Sequence, residues 1–149
     1  MNISPATVSD IPELCELLEL LFSEEAEFHA NHAVQSAGLR QIMESPDRGQ
    51  ILVLRNGTSV VGMVNLLFTI STALGGRVAI LEDMVIHPAQ RGKGGGSRLL
   101  LAAINFARST ECHRITLLTD RTNEAAQRFY RRHGFRVSAM IPLRLLLTA

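Results

Sequence analysis

The 149-residue chain has no tryptophan, one tyrosine and two cysteines, and its 15 Lys and Arg nearly cancel its 14 Asp and Glu. Each shortage excludes something. A chain with so few aromatic platforms has little on which to stack unpaired bases. A formal net charge of +1 supplies no general attraction for nucleic acid or an anionic membrane, so neither partner is expected. Charge is nevertheless uneven. The stretch from Glu13 to Glu27 is acidic, and Arg121, Arg128, Arg131, Arg132 and Arg136 crowd one segment. A local basic region on a neutral body suits a small phosphorylated ligand better than a long polyanion. Cys15 and Cys112 lie far apart and follow no metal-ligand spacing; they are expected as reduced, half-buried small hydrophobes. No apolar run approaches the roughly 20 residues that span a bilayer. The opening residues carry Pro5, Ser9, Asp10 and Pro12 in place of a basic start and an apolar core, so no secretory signal is read there. Cytoplasmic residence is the default expectation.

What the chain does have is apolar content, at 46%, and the length of one domain with a proper core. One domain over 1–149 is expected. A short strand is read at Met1 to Thr7. Ser9 or Asp10 then caps a helix with Pro12 in its first turn. Ile11, Leu14, Leu17, Leu18 and Leu21 recur there at helical spacing. A second helix covers Val34 to Met43, stopped by Ser45-Pro46. Gln50 to Leu54, an Asn56-Gly57 turn, Ser59 to Ser71, a Gly75-Gly76 turn and Arg77 to Ile86 read as a three-strand meander. Leu99, Leu100, Ala103, Ile104 and Ala107 form a helical stripe, and Ile115 to Leu118 a short buried strand. Asn123 to Arg132 reads as a helix closed by Gly134. Phe135 to Val137 and Leu143 to Leu147 read as two final strands. The order β-α-α-β-β-β-α-β-α-β-β implies an α/β (α+β) fold: a mixed, mostly antiparallel sheet covered by helices.

The most informative stretch is Gln90-Arg91-Gly92-Lys93-Gly94-Gly95-Gly96-Ser97, after a strand and before a helix. Glycines there let the backbone turn tightly and approach a ligand without Cβ collisions. Free N–H groups of the turn and of the first helical turn, with the helix dipole, favour a phosphate or pyrophosphate. Arg91 and Lys93 add charge at the rim. A P-loop is excluded because Lys93 is followed by Gly94 rather than Ser or Thr. A dinucleotide fingerprint is excluded because, counted from Gly92 and Gly94, its third glycine falls on Ser97, and the early β-α-β context is missing. The bland alternative is a flexible connector between strand and helix.

The wider context decides between these. Arg91, Gly94 and Gly96 match an Arg/Gln-x-x-Gly-x-Gly/Ala loop that follows a strand ending in His87-Pro88. Downstream, Asn123, Ala126, Phe129, Tyr130, Gly134 and Phe135 fill Asn-x-x-Ala-x-x-Phe-Tyr-x-x-x-Gly-Phe. On these two motifs the sequence resembles the GNAT acyltransferase superfamily over about Gln50 to Val137. The resemblance implies an N-acetyltransferase, with acetyl-CoA as co-substrate and no metal. It places the pyrophosphate on Arg91, Gly92, Lys93, Gly94, Gly95, Gly96 and Ser97. The oxyanion donor and the pantetheine contacts fall on the strand end Met84, Val85 and Ile86. Asn123 is implied to touch the cofactor arm, although as a lone residue it is an ordinary helix cap.

Acetyl transfer to an amine needs a neutral nucleophile, a stabilised oxyanion and a protonated leaving thiolate. Tyr130 stands at the family's acid position; its alternative is packing beside Phe129. Glu82 and Asp83 lie in an apolar strand, where burial raises a carboxyl pKa and suits a base. Adjacent strand residues face opposite sides, so one of the two faces a given site, and several family members carry their base near Glu82. The expected catalytic pair is Glu82 and Tyr130. The alternative for Glu82 is a structural pairing with Arg77 or Arg114. His87 before Pro88 reads as a turn residue. His29 and His32 lack a third metal ligand and read as surface groups, while Asp120 and Arg121 close the strand before the last helix. A CoA-binding module without catalysis is the alternative function. The amine acceptor carries no motif, and the apolar tail Leu143 to Leu147 leaves a homodimer open.

Overall fold

The computed structural model describes residues 1–25 and 27–148. The chain divides into two compact units, Met1–Leu118 and Thr119–Ala149.

The first unit holds a five-stranded sheet in the order β1-β2-β3-β4-β5. Its strands are β1 (Asn2–Pro5), β2 (Gly49–Asn56), β3 (Ser59–Ser71), β4 (Gly76–Ile86) and β5 (Ile115–Leu117). The first four run as an antiparallel series, and β5 joins β4 in parallel. Its helices are α1 (Ile11–Ser23), α2 (His32–Met43) and α3 (Gly95–Ser109). The β2–β3 turn uses Gly57 at φ 62° and the β3–β4 turn Gly75 at φ 73°, left-handed positions that glycine takes without penalty.

Alternation along the strands splits the core between two faces. Ile51, Val53, Met63 and Val85 pack with Leu14, Leu17, Leu18 and Leu39 of α1 and α2. On the other face α3 covers β2, β3 and β4, and Phe68 of β3 stacks on Phe106 of α3 with ring centroids 6.3 Å apart. Of the cysteines, both free, Cys15 is buried beside Ser36 and Cys112 is half-buried.

Asp10 departs from its expected role. Pro12 does sit in the first turn of α1, but the Asp10 side chain makes no capping bond to that helix. Instead it accepts two bonds from the Arg55 guanidinium at 2.9 and 2.7 Å, and one from the Thr7 N–H at 2.7 Å. This part-buried, bidentate pair ties the start of α1 to β2. The guanidinium holds the Asp10 carboxyl below its ordinary range, against the opposing effect of burial.

The second unit contains α4 (Glu124–Arg132), ended by Gly134 at φ 93°. The two final strands expected at Phe135 to Val137 and Leu143 to Leu147 are not formed. A strand exists only through a ladder partner, and residues 136–148 take no strand conformation in the sheet. Pro142 removes one donor outright. The segment's apolar side chains stay exposed, from Ile141 at 69% to Leu143 at 91%.

Candidate active site

The glycine turn begins where β4 ends. His87 closes the strand as a turn residue, its Nδ1 accepting from the Ala89 N–H at 3.1 Å. Arg91 donates from Nε to the Ile86 carbonyl at 3.0 Å and stands 3.5 Å from Glu24. Gly92 and Gly94 adopt φ of 79° and 80°, and open space lies where their side chains would be. The turn therefore needs both glycines for backbone reasons before any ligand is considered. Gly94 is the N-cap of α3 and no side chain caps the helix. The N–H groups of Gly95, Gly96 and Ser97 have no acceptor among the described residues. Three donors at a helix start, with Lys93 at the rim, are the arrangement that holds a phosphate. Gly95 also fixes how close the turn lies to the sheet: a Cβ there would come within 2.8 Å of Leu54 Cδ2.

On β4 the ladder to β5 stops at Leu81. Beyond it, residues 82–86 pair only with β3, so among the described residues their other edge has no strand partner. Val85 is buried, and Met84 and Ile86 are half-buried. Backbone donors on that free edge are where an extended ligand or an oxyanion finds N–H groups.

The acidic pair is arranged differently from the expected alternation. Between Asn65↔Glu82 and Met63↔Val85 the register slips: Val64 alone opposes Asp83 and Met84, a β-bulge. Asp83 sits there at φ 54°, a left-handed conformation that Asp tolerates better than most residues. Glu82 stands opposite Asn65 and shares its face, and Asp83, re-aimed by the bulge, accepts a bond from Asn65 Nδ2 at 2.6 Å. Both carboxylates thus attend one side of the sheet. Glu82 is exposed and makes no ion pair among the described residues; Arg77 lies 4.0 Å from Asp47 and over the Phe68 ring. The desolvation expected at Glu82 falls on Asp83. Burial pushes its carboxyl up to about 6, opposed by the Asn65 hydrogen bond and aided by the Glu82 charge.

Asn65 escaped sequence reasoning. It is 2% exposed, and its Oδ1 is buried without a hydrogen-bond partner among the described residues. Its signal was a single amide inside the apolar run from Val60 to Phe68.

In the second unit the Asn123 side chain caps α4, accepting from the Ala126 N–H at 3.0 Å, which satisfies its structural reading. Tyr130 is half-buried, edge-on to Phe129 and Phe135 with centroids 5.3 and 5.7 Å away. Of the remaining histidines singled out, His32 pairs with Glu19 at 3.2 Å on the surface.

Known proteins place this architecture. The model of the acetyltransferase (GNAT) family matches residues 11–135. An uncharacterized N-acetyltransferase of Bacillus subtilis, YhfO, is 30% identical over 138 residues, covering 91% of this chain and 89% of that one. The aminoalkylphosphonate N-acetyltransferase of Salmonella typhimurium is 30% identical over 133 residues, covering 89% and 83%. A solved Trypanosoma brucei acetyltransferase superposes with a TM-score of 0.76 at 25% identity, covering 98% of this chain and 99% of that one. A glycine turn opening α3, a β4 edge freed beyond Leu81 and this breadth of likeness have one explanation: the chain belongs to the GNAT family of acetyltransferases.

Proposed function

We propose that the protein transfers acetyl from acetyl-CoA to a primary amine by direct attack. The carrying observation is the turn at 91–97, whose N–H donors open α3 shortly after β4, a strand whose ladder to β5 stops at Leu81. In this reading the pyrophosphate rests on Arg91 to Ser97, and the pantetheine arm takes the β4 edge at Met84 to Ile86. Asn123 contacts the cofactor arm while capping α4. A carboxylate of the β4 pair, for which sequence puts Glu82 first, draws the proton from the ammonium. The amine nitrogen attacks the thioester carbon, a β4 N–H stabilises the oxyanion, and the C–S bond breaks as Tyr130 protonates the sulfur. A small phosphonylated amine is the acceptor class that the Salmonella relative's name recommends. A second copy of the chain covers the exposed apolar segment 137–147.

The test is release of free thiol from acetyl-CoA over a panel of amines that includes aminoalkylphosphonates, amino sugar phosphates, polyamines and amino acids. Amine-dependent release is expected for at least one class. Tight acetyl-CoA binding with no release for any amine would instead favour a CoA-binding module without catalysis.

A further inference from the structure

The pair Asn65–Asp83 has features that a merely structural contact does not need. Asp83 occupies a left-handed conformation within a bulge, a strained position for a residue other than glycine. The bond from Asn65 Nδ2, at 2.6 Å, engages one carboxylate oxygen, Oδ2. The other end of the same amide, Oδ1, is buried with no donor to meet it among the described residues, and an orphaned acceptor is costly to bury. An ionised carboxylate carries no proton and cannot relieve it. A protonated one can, since a carboxylic acid carries one O–H donor.

Resting on the acetyl-transfer reading above, we infer that Asp83 is the group that takes the proton from the acceptor's ammonium, and that Asn65 is the residue that positions it. The step balances simply. The ammonium gives one proton to an Asp83 oxygen, leaving a neutral amine and a carboxylic acid whose O–H finds the Asn65 amide. The amine forms the C–N bond, the C–S bond breaks, and the second N–H proton lost from nitrogen matches the one that Tyr130 delivers to sulfur. Asp83 then returns its proton to water. The charged group that bears on Asp83 is Glu82, whose negative charge favours the protonated form. A base that titrates near neutrality suits this work at physiological pH.

The test is the pH profile of kcat/KM for thiol release, in wild type and three variants. The wild-type rate should fall on the acid side through a limb near pH 6. Asp83→Asn, which tolerates the same left-handed backbone, should lose about a hundredfold or more at pH 7 and lose that limb. Asn65→Leu removes the amide that bonds Asp83, so its limb should move away from the wild-type position. Glu82→Gln removes a repelling charge, so its limb should move to lower pH. Limb positions are independent of the fraction of active protein, so partial misfolding of Asn65→Leu cannot imitate the shift. A limb kept in Asp83→Asn and lost in Glu82→Gln overturns the inference while leaving acetyl transfer intact. An unmoved limb in Asn65→Leu removes Asn65 from the site. Absence of thiol release by wild type with every amine overturns the acetyl-transfer reading and this inference together.

Discussion

Asp83 is a residue whose stability cost and proposed use have the same origin, the withdrawal of a carboxyl from water. Its folded pKa of about 6 lies above the ordinary carboxyl value of 3.8, so the neutral form favours folding. That contribution is full below about pH 4 and lost as pH rises through about 6. Asp83→Asn should therefore unfold later than wild type at pH 8, by up to ~3 kcal/mol in denaturant titrations, with the gap closing near pH 4. An equal gap at both pH values would mean that burial does not burden this carboxyl. Tyr130 makes a cleaner kinetic case. Tyr130→Phe keeps the ring contacts with Phe129 and Phe135 and removes one hydroxyl. In the proposed mechanism kcat falls on the order of a hundredfold, with acetyl-CoA affinity little changed and the loss smaller for a donor with a more acidic thiol. Near-normal kcat, with chemistry rate-limiting, would return Tyr130 to packing.

Elements were legible where periodicity and punctuation agreed. Ser59 to Ser71 was read to the residue because Asn56-Gly57 and Gly75-Gly76 bracket it, and α3 declared itself by its glycine start and apolar stripe. The bulge in β4 was not legible. Nothing in Glu82-Asp83-Met84 announces that two residues will oppose Val64, and strict alternation would have set the acidic pair on opposite faces. The final strands failed for another reason: Leu143 to Leu147 carries strand composition, but a ladder partner is not a property of composition. Asp10 shows the same limit, since a cap position could be read and an Arg55 partner 45 residues away could not. The pair now predicts its own worth. Asp10→Ala strands a guanidinium that is 20% exposed, and should cost about 3 kcal/mol, or roughly 5–10 °C in melting temperature. At the glycine turn, Gly94→Glu forces a side chain into φ 80° and sets a carboxylate where an anion is to bind. Calorimetric titration with acetyl-CoA should then show no measurable heat, and wild-type affinity would refute the phosphate role of the turn.

For the whole molecule, the segment 137–147 is the feature that a solitary copy explains least. Contiguous apolar exposure, with Leu143 at 91% and Leu147 at 88%, marks an interaction surface on most proteins. Sedimentation should show a dimer that Leu143→Glu with Leu146→Glu converts to a monomer; a monomeric wild type would dismiss the second copy. The contact between Gly95 and Leu54 has a different reach. Leu54 is wholly buried and lies in β2, yet its tip sets how closely the start of α3 can approach the sheet. The glycine turn is in effect a gauge resting on the interior. Any loosening of β2, by warming or by Leu54→Ala, would register there first, as a rising KM for acetyl-CoA at temperatures where the fold as a whole still reads as native.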